Sequence, residues 1–402
     1  MDTTKPLICL YSVLLIFCVS CCKENVEVTP YKTITIDKGN CQYVYSEGLQ
    51  NLPKYKNQII AHTSFLLDNW DDDRLCAINL KTGKADWYFP KDLSKAYKCA
   101  FDGFSYIYEN KLVFKYIENY PLNKNATLVC LNLDTQEVIW EKQEINEIGH
   151  SHTDIFGIGR YCYFDRNKHK VCRVNLDSGE ETLIYDSGEF KILHLRISTD
   201  GELYLFEDKT IEDSEDILGY YLINESVVLD KDTGDEKFRY KIKPFDNTEA
   251  RWYGGNGILQ DGILYANVDT YLTAVDVETG RQLWERNDPE AYILEDLIVY
   301  NGVVLKCGGN STYGYNAQTG ELLYKYDNFG SHYTTRHGKY AYMVTNAGWL
   351  AVIDIATGRI HKRIDCPDEM FFGSYPTFYG DKMYIMGLPN YLYCYSVDKM
   401  ER

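Results

Sequence analysis

The stretch Ala274-Val275-Asp276-Val277-Glu278-Thr279-Gly280-Arg281-Gln282-Leu283-Trp284 decides the fold, because it recurs. Ala77-Ile78-Asn79-Leu80-Lys81-Thr82-Gly83 repeats it and ends at Trp87. Cys130-Leu131-Asn132-Leu133-Asp134-Thr135-Gln136 repeats it and ends at Trp140. Further copies centre on Asn175 with Gly179, Asp230 with Gly234, Asn316 with Gly320 and Asp354 with Gly358. A degenerate eighth, Cys394-Tyr395-Ser396-Val397-Asp398-Lys399-Met400, closes the chain. An internal period outranks any local reading of such a sequence.

Each part of the phrase has a physical reason. The run before the Asn or Asp alternates as a half-buried strand does. Asn or Asp bonds the amides just ahead of it, and Gly takes the left-handed conformation that reverses the chain. The returning strand carries a large residue four positions after the Gly, at Trp87, Trp140, Phe238, Trp284 and Tyr324. Leu183 and Lys362 depart from that position, so looser packing is expected in those two units.

A second signal precedes every copy. Pairs typical of two-residue hairpins stand at Lys56-Asn57, Glu109-Asn110, Ile158-Gly159, Asp200-Gly201, Asp261-Gly262, Asn301-Gly302, His337-Gly338 and Gly380-Asp381. They alternate with the phrases about every 46 residues, the length of a four-stranded propeller blade. The reading is all-β: an eight-bladed β-propeller of four-stranded antiparallel blades, with seven blades as the alternative. The last unit lacks a fourth strand, and residues 42–46 are expected to supply it and close the ring. Residues 41–402 then form one propeller domain, behind an anchor and linker at 21–40.

The phrase Asp/Asn-x-x-Thr-Gly-x-x-x-Trp, with a small residue two positions before it, resembles the pyrroloquinoline-quinone-type (PQQ-like) propeller repeat. The resemblance covers about residues 55–400. It implies a propeller, and it leaves function open. The family holds quinone-dependent dehydrogenases and cofactor-free lipoproteins, among them the propeller component of the outer-membrane β-barrel assembly machinery. Many of the dehydrogenases stack a vicinal Cys pair on the quinone. Here the only such pair is Cys21-Cys22, within the export segment. No cofactor is therefore expected, and quinone-dependent dehydrogenase chemistry is the remote alternative.

The N-terminus reads as an export signal. Lys5 precedes an apolar run over residues 7–19, too short to span a bilayer. Ser20-Cys21-Cys22 follows, and it resembles the lipobox of bacterial lipoproteins. That likeness implies cleavage after residue 20 and acylation at Cys21, with Cys22 as the alternative and an ordinary cleaved leader as the third possibility. It points to the outer membrane, on its periplasmic face or at the cell surface. Of 13 Cys, the nine beyond the export segment are scattered without CxxC spacing.

The 402-residue chain is 45% hydrophobic and 25% charged, which excludes disorder and a multispanning membrane protein. Its net charge of −17 argues against nucleic-acid binding. Candidate binding residues come from unequal spacing. The hairpin pair and the Thr-Gly turn lie 18 residues apart in the fifth and sixth units, 26 in the first two and 33 in the fourth. The extra length carries Trp70, Asp71, Asp72 and Asp73, then Tyr120, then Asp213, Glu215 and Asp216. Such acidic, aromatic loops on a rigid scaffold suit a protein partner, a glycan stacked on Trp70 and Tyr120, or plain solvation. No EF-hand spacing supports Ca²⁺. His150 and His152 share a strand face without a third ligand, and no metal site is assigned. No Gly-x-Ser-x-Gly elbow supports a hydrolase. The expected function is a non-enzymatic, lipid-anchored scaffold binding a protein partner in the cell envelope, including outer-membrane protein assembly. The alternative is a carbohydrate- or ligand-binding surface lipoprotein.

Overall fold

In each repeated phrase the Asn or Asp closes its turn twice over. Asn79 Oδ1 accepts the backbone N–H of Lys81 at 2.9 Å and of Thr82 at 3.3 Å. The Gly83 N–H reaches the Asn79 carbonyl at 2.8 Å. Asn132, Asn175, Asp230 and Asn316 hold the same pair of amides. Asp276 and Asp354 hold the amide three residues on. The residue after the Asn or Asp then ties this turn to the hairpin of its own blade: Leu80 N–H donates to Asn57, Val277 to Gly262 and Ala317 to Gly302.

The computed structural model describes residues 32–35, 43–45, 53–64, 74–91, 99–118, 126–143, 155–198, 201–212, 220–242, 256–268, 270–288, 297–308, 310–367, 371–387 and 391–402. Their strands form eight antiparallel sheets that follow one another along the chain. Blade five shows the pattern, with strands Asn256–Gln260, Ile263–Val268, Tyr271–Asp276 and Gln282–Asn287 in sequential order. Asp261 and Gly262 both have positive φ, as the right-handed twist of a two-residue hairpin requires.

Among the described residues the apolar side chains gather in eight clusters, each shared by two neighbouring blades. Ile60, Trp87 and Phe114 join blades one and two, and Tyr265, Trp284 and Tyr315 join five and six. Ile78, Met386 and Cys394 join blade eight to blade one, which closes the ring.

A register shift beside the Thr-Gly turn aims the large residue at the next blade. Ala274 faces Trp284, while Val275 faces Gln282. Trp284 Nε1 then donates to the Ala317 carbonyl at 2.9 Å, Trp140 Nε1 to Leu176 at 3.1 Å and the Tyr324 hydroxyl to Ile355 at 2.7 Å. Gly320 is needed on two counts. Its φ is +68°, and a Cβ there would sit 2.6 Å from the Trp284 ring. Trp87 faces a turn with Gln136 in the glycine position, and its buried Nε1 has no hydrogen-bond partner among the described residues.

Two expectations need correction. The strand that completes blade eight is Lys32–Thr35, paired antiparallel with Tyr391–Ser396, and not residues 42–46. Tyr43–Tyr45 instead pairs with Gln58–Ser64, on the side where Lys54–Tyr55 also pairs, so the innermost strand of blade one is split in two. The ring thus begins inside the stretch read as anchor and linker. At Leu183, blade three changes register rather than packing loosely. Its shift lies between Val171 and Cys172, two residues further from the turn. Leu183 is 54% exposed, and Ile184 turns inward at 8%.

In blade eight the short helix Val397–Glu401 replaces the Thr-Gly turn. Val397 and Met400 are buried, and the Val397 N–H donates to Asp381. Glu401 accepts the Tyr342 hydroxyl of blade seven at 2.9 Å and pairs with His337 at 3.0 Å. Lys362, the other departure, donates to the Lys399 carbonyl of the same helix.

Candidate functional site

The second and third strands of each blade meet on the face opposite the Thr-Gly turns, and the long loops leave from there. In blade four the extra length is largely strand, because Leu203–Glu212 and Tyr220–Leu229 pair over their full length. Asp213, Glu215 and Asp216 fall in the seven residues between them, outside the described residues. Trp70, Asp71, Asp72, Asp73 and Tyr120 also lie outside them, as do Cys21, Cys22, His150 and His152. The stems of all three loops are described. Arg74, at the base of the blade-one loop, is buried with its guanidinium 3.8 Å from the Tyr88 ring centre.

Beneath that face lies a set of paired charges, some of them fully buried, that sequence reasoning missed. Glu207 is buried on blade four and accepts Arg239 at 2.5 Å. The same guanidinium holds Glu225 at 2.5 Å, Glu236 at 2.8 Å and the Tyr185 hydroxyl of blade three at 2.8 Å. Burial pushes the Glu207 carboxyl up from its ordinary value, against the lowering pull of Arg239. Burial, with Glu207 adding to it, pushes Tyr185 up to about 12. Arg239 is raised by its acidic partners, Glu236 first. Three carboxylates on one cation form a cross-strand brace that pins blade three to blade four.

Two further pairs cross between blades. Lys115 and Asp165 lie 3.6 Å apart between blades two and three, each 1% exposed. Lys306 lies 3.6 Å from Asp288 and donates to the Thr270 carbonyl at 3.0 Å, tying blade six to blade five. One sign in the sequence could have found them. Lys115, Asp165, Glu207 and Lys306 each end an apolar run four to six residues after the hairpin turn. A lone charge there, where burial is otherwise complete, needs a partner from the next blade.

The chemistry available among the described residues is limited. No cluster of His, Cys, Asp or Glu there could hold a metal ion. Cys76, Cys130, Cys162, Cys172, Cys307, Cys366 and Cys394 are buried. Burial pushes the Cys130 and Cys172 thiols up to about 12, far from a reactive thiolate. No described helix is long and apolar enough to cross a membrane.

Residues 224–364, from blade four through blade seven, match the family model described as outer membrane protein assembly factor BamB. No curated protein sequence matches the chain. Among solved structures, BamB from Moraxella catarrhalis is 14% identical, with TM-score 0.59, over 92% of this chain and 99% of that one. A europium-containing methanol dehydrogenase is 10% identical, with TM-score 0.62, over 89% of this chain and 84% of that one. A computationally designed protein, Ika8, is 12% identical, with TM-score 0.57, over 90% and 98%. A factor, an enzyme and a design share this shape, so the shape alone does not choose a function. The repeat resemblance read from the sequence is met by the family model and by the folds of its neighbours.

Proposed function

We propose that this chain, a propeller of the PQQ-like repeat type, is a non-enzymatic scaffold of the cell envelope, anchored by a lipid at Cys21 or Cys22. Its partner is a protein of the outer-membrane assembly apparatus. The observation that carries this reading is the family-model match over residues 224–364, whose description is an assembly factor. The rigid ring supports it. Interblade clusters and buried ion pairs hold the blades in fixed relation, so the long loops of blades one, two and four leave from an unyielding base.

The test is crosslinking in the native cell, followed by purification of the lipidated protein. The expected result is capture of a β-barrel assembly component, with lowered outer-membrane protein levels when the chain is deleted. Clean isolation without such a component, together with unchanged levels, would sink the proposal. The methanol dehydrogenase likeness makes one enzymatic control worthwhile. Dye-linked alcohol oxidation after adding quinone and Ca²⁺ is expected to stay at background.

A further inference from the structure

We infer that the Thr-Gly-turn face over blades seven, eight and one rests on an anionic phospholipid surface, with the long-loop face turned away from it. This inference rests on the lipid-anchor reading above and adds an orientation to it. Its first support is register. Lys32 pairs with Cys394 and Thr35 with Tyr391. The strand Tyr391–Ser396 runs toward the helix Val397–Glu401 on the turn face, so the chain before Lys32 leaves on that face. Lys32 stands eleven positions after Cys21, a reach of at most about 37 Å. A six-residue strand is about 20 Å long. A ring lying with its long-loop face on the bilayer would use more than half of that reach to pass its own thickness.

The second support is charge, and it is independent of the anchor. In blade one the turns expose Lys56, Lys81 and Lys84 and carry no acid of their own, although Lys56 pairs with Asp134 of blade two. Blade seven exposes Lys339 after its hairpin pair and Arg359 after its Thr-Gly turn, with Asp354 3.6 Å from Lys339. Blade eight places Lys382 in its hairpin turn and exposes Lys399 and Arg402 at its helix, against Asp381, Asp398 and the internally bonded Glu401. The same turns in blades two to five carry Lys111, Arg160, Lys231 and Arg281, outnumbered by acids that include Glu109, Asp134, Asp177, Asp232, Asp261 and Glu278. A chain of net charge −17 has therefore gathered a cationic sector where its anchor arrives. Basic side chains near an anionic bilayer add attraction that salt screens.

The experiment uses the chain from residue 21 with Cys21→Ser and Cys22→Ser, so that no lipid contributes. Co-sedimentation is measured with phosphatidylglycerol-containing vesicles and with phosphatidylcholine vesicles at low salt. Binding to the first only is expected. It should weaken about fivefold for each cation removed, and so at least about a hundredfold in Lys81→Glu/Lys84→Glu/Arg359→Glu/Lys399→Glu. Lys142→Glu/Lys170→Glu/Lys191→Glu/Arg363→Glu makes the same charge change toward the long-loop face and should retain most of the binding. Absent binding by the parent chain, or an equal loss in both quadruple variants, overturns the inference. Palmitate incorporation into the lipidatable protein tests the anchor separately, so the two failures are distinguishable.

Discussion

Trp284 lies against Gly320 of the following blade, and its Nε1 donates to the Ala317 carbonyl within the turn that Gly320 closes. Ring, carbonyl and missing Cβ form one joint. Gly320→Ala should therefore lower stability by about 2 to 4 kcal/mol, from the left-handed backbone and from overpacking together. A Cβ added at Gly280 would lie 3.8 Å from the nearest Phe238 atom, an ordinary contact, so Gly280→Ala should cost only about 1 kcal/mol. Urea unfolding midpoints of the two variants test the difference, and equal shifts would count against the joint.

The altered register of blade three makes a pair of opposite expectations. Ile184→Ala removes a buried side chain shared with blade four and should cost about 2 to 4 kcal/mol. Leu183→Asn changes an exposed position and should stay within about 0.5 kcal/mol of the parent. A reversed order in denaturant titrations would place the shift elsewhere.

Acid sensitivity should concentrate in the aspartate turns. The Thr233 amide, then Lys237, holds Asp230 well below the ordinary 3.8, and the Thr279 amide holds Asp276 below it. A carboxyl depressed in the folded state contributes stability above the unfolded value. That contribution is lost as pH falls through the folded value. Asp230→Asn/Asp276→Asn keeps an acceptor that does not titrate there, as Asn79 and Asn316 do in their own turns. Its unfolding midpoint should fall less than the parent's between pH 4 and strong acid. Parallel curves would remove these turns from the acid response.

Glu401 is the acidic contact through which the terminal helix holds blade seven, beside the Lys362 bond to Lys399. Glu401→Ala leaves the Tyr342 hydroxyl without its acceptor and should cost about 1 to 3 kcal/mol. Hydrogen exchange should quicken first in the strand Tyr391–Ser396. Uniform quickening around the ring would argue against a local clasp.

The thiols of Cys130, Cys162 and Cys172, all raised by burial, should resist maleimide in the folded protein at neutral pH. They should label fully in urea. Peptide mapping that finds any of the three modified before unfolding would contradict their burial.

Blade number and turn chemistry were legible because both are local. An Asx acceptor, a left-handed residue and a hairpin pair act within a few residues, and they recur along the chain. Trp140, Trp284 and Tyr324 were legible as packing residues, since only a neighbouring blade could cover them. The closing strand was not. A short piece such as Lys32–Thr35 takes its place from the free edge of Tyr391–Ser396, and nothing in its own alternation sets it apart from Tyr43–Tyr45. The shift at Ile184 was hidden for a related reason, since a bulge moves with the partner strand. The brace around Arg239 joins five side chains scattered over two blades, a geometry that no linear spacing displays.

The pairing of Lys32 with Cys394 also sets a schedule. The ribosome makes the first of these residues 362 positions before the second, so the clasp waits until the strands of all eight blades have been made. Until then the edge of the final blade stays open and each shared cluster is completed only when its second owner arrives. Pairing over so long a separation is slow by nature, and it leaves an unpaired strand edge exposed for as long as the ring is open.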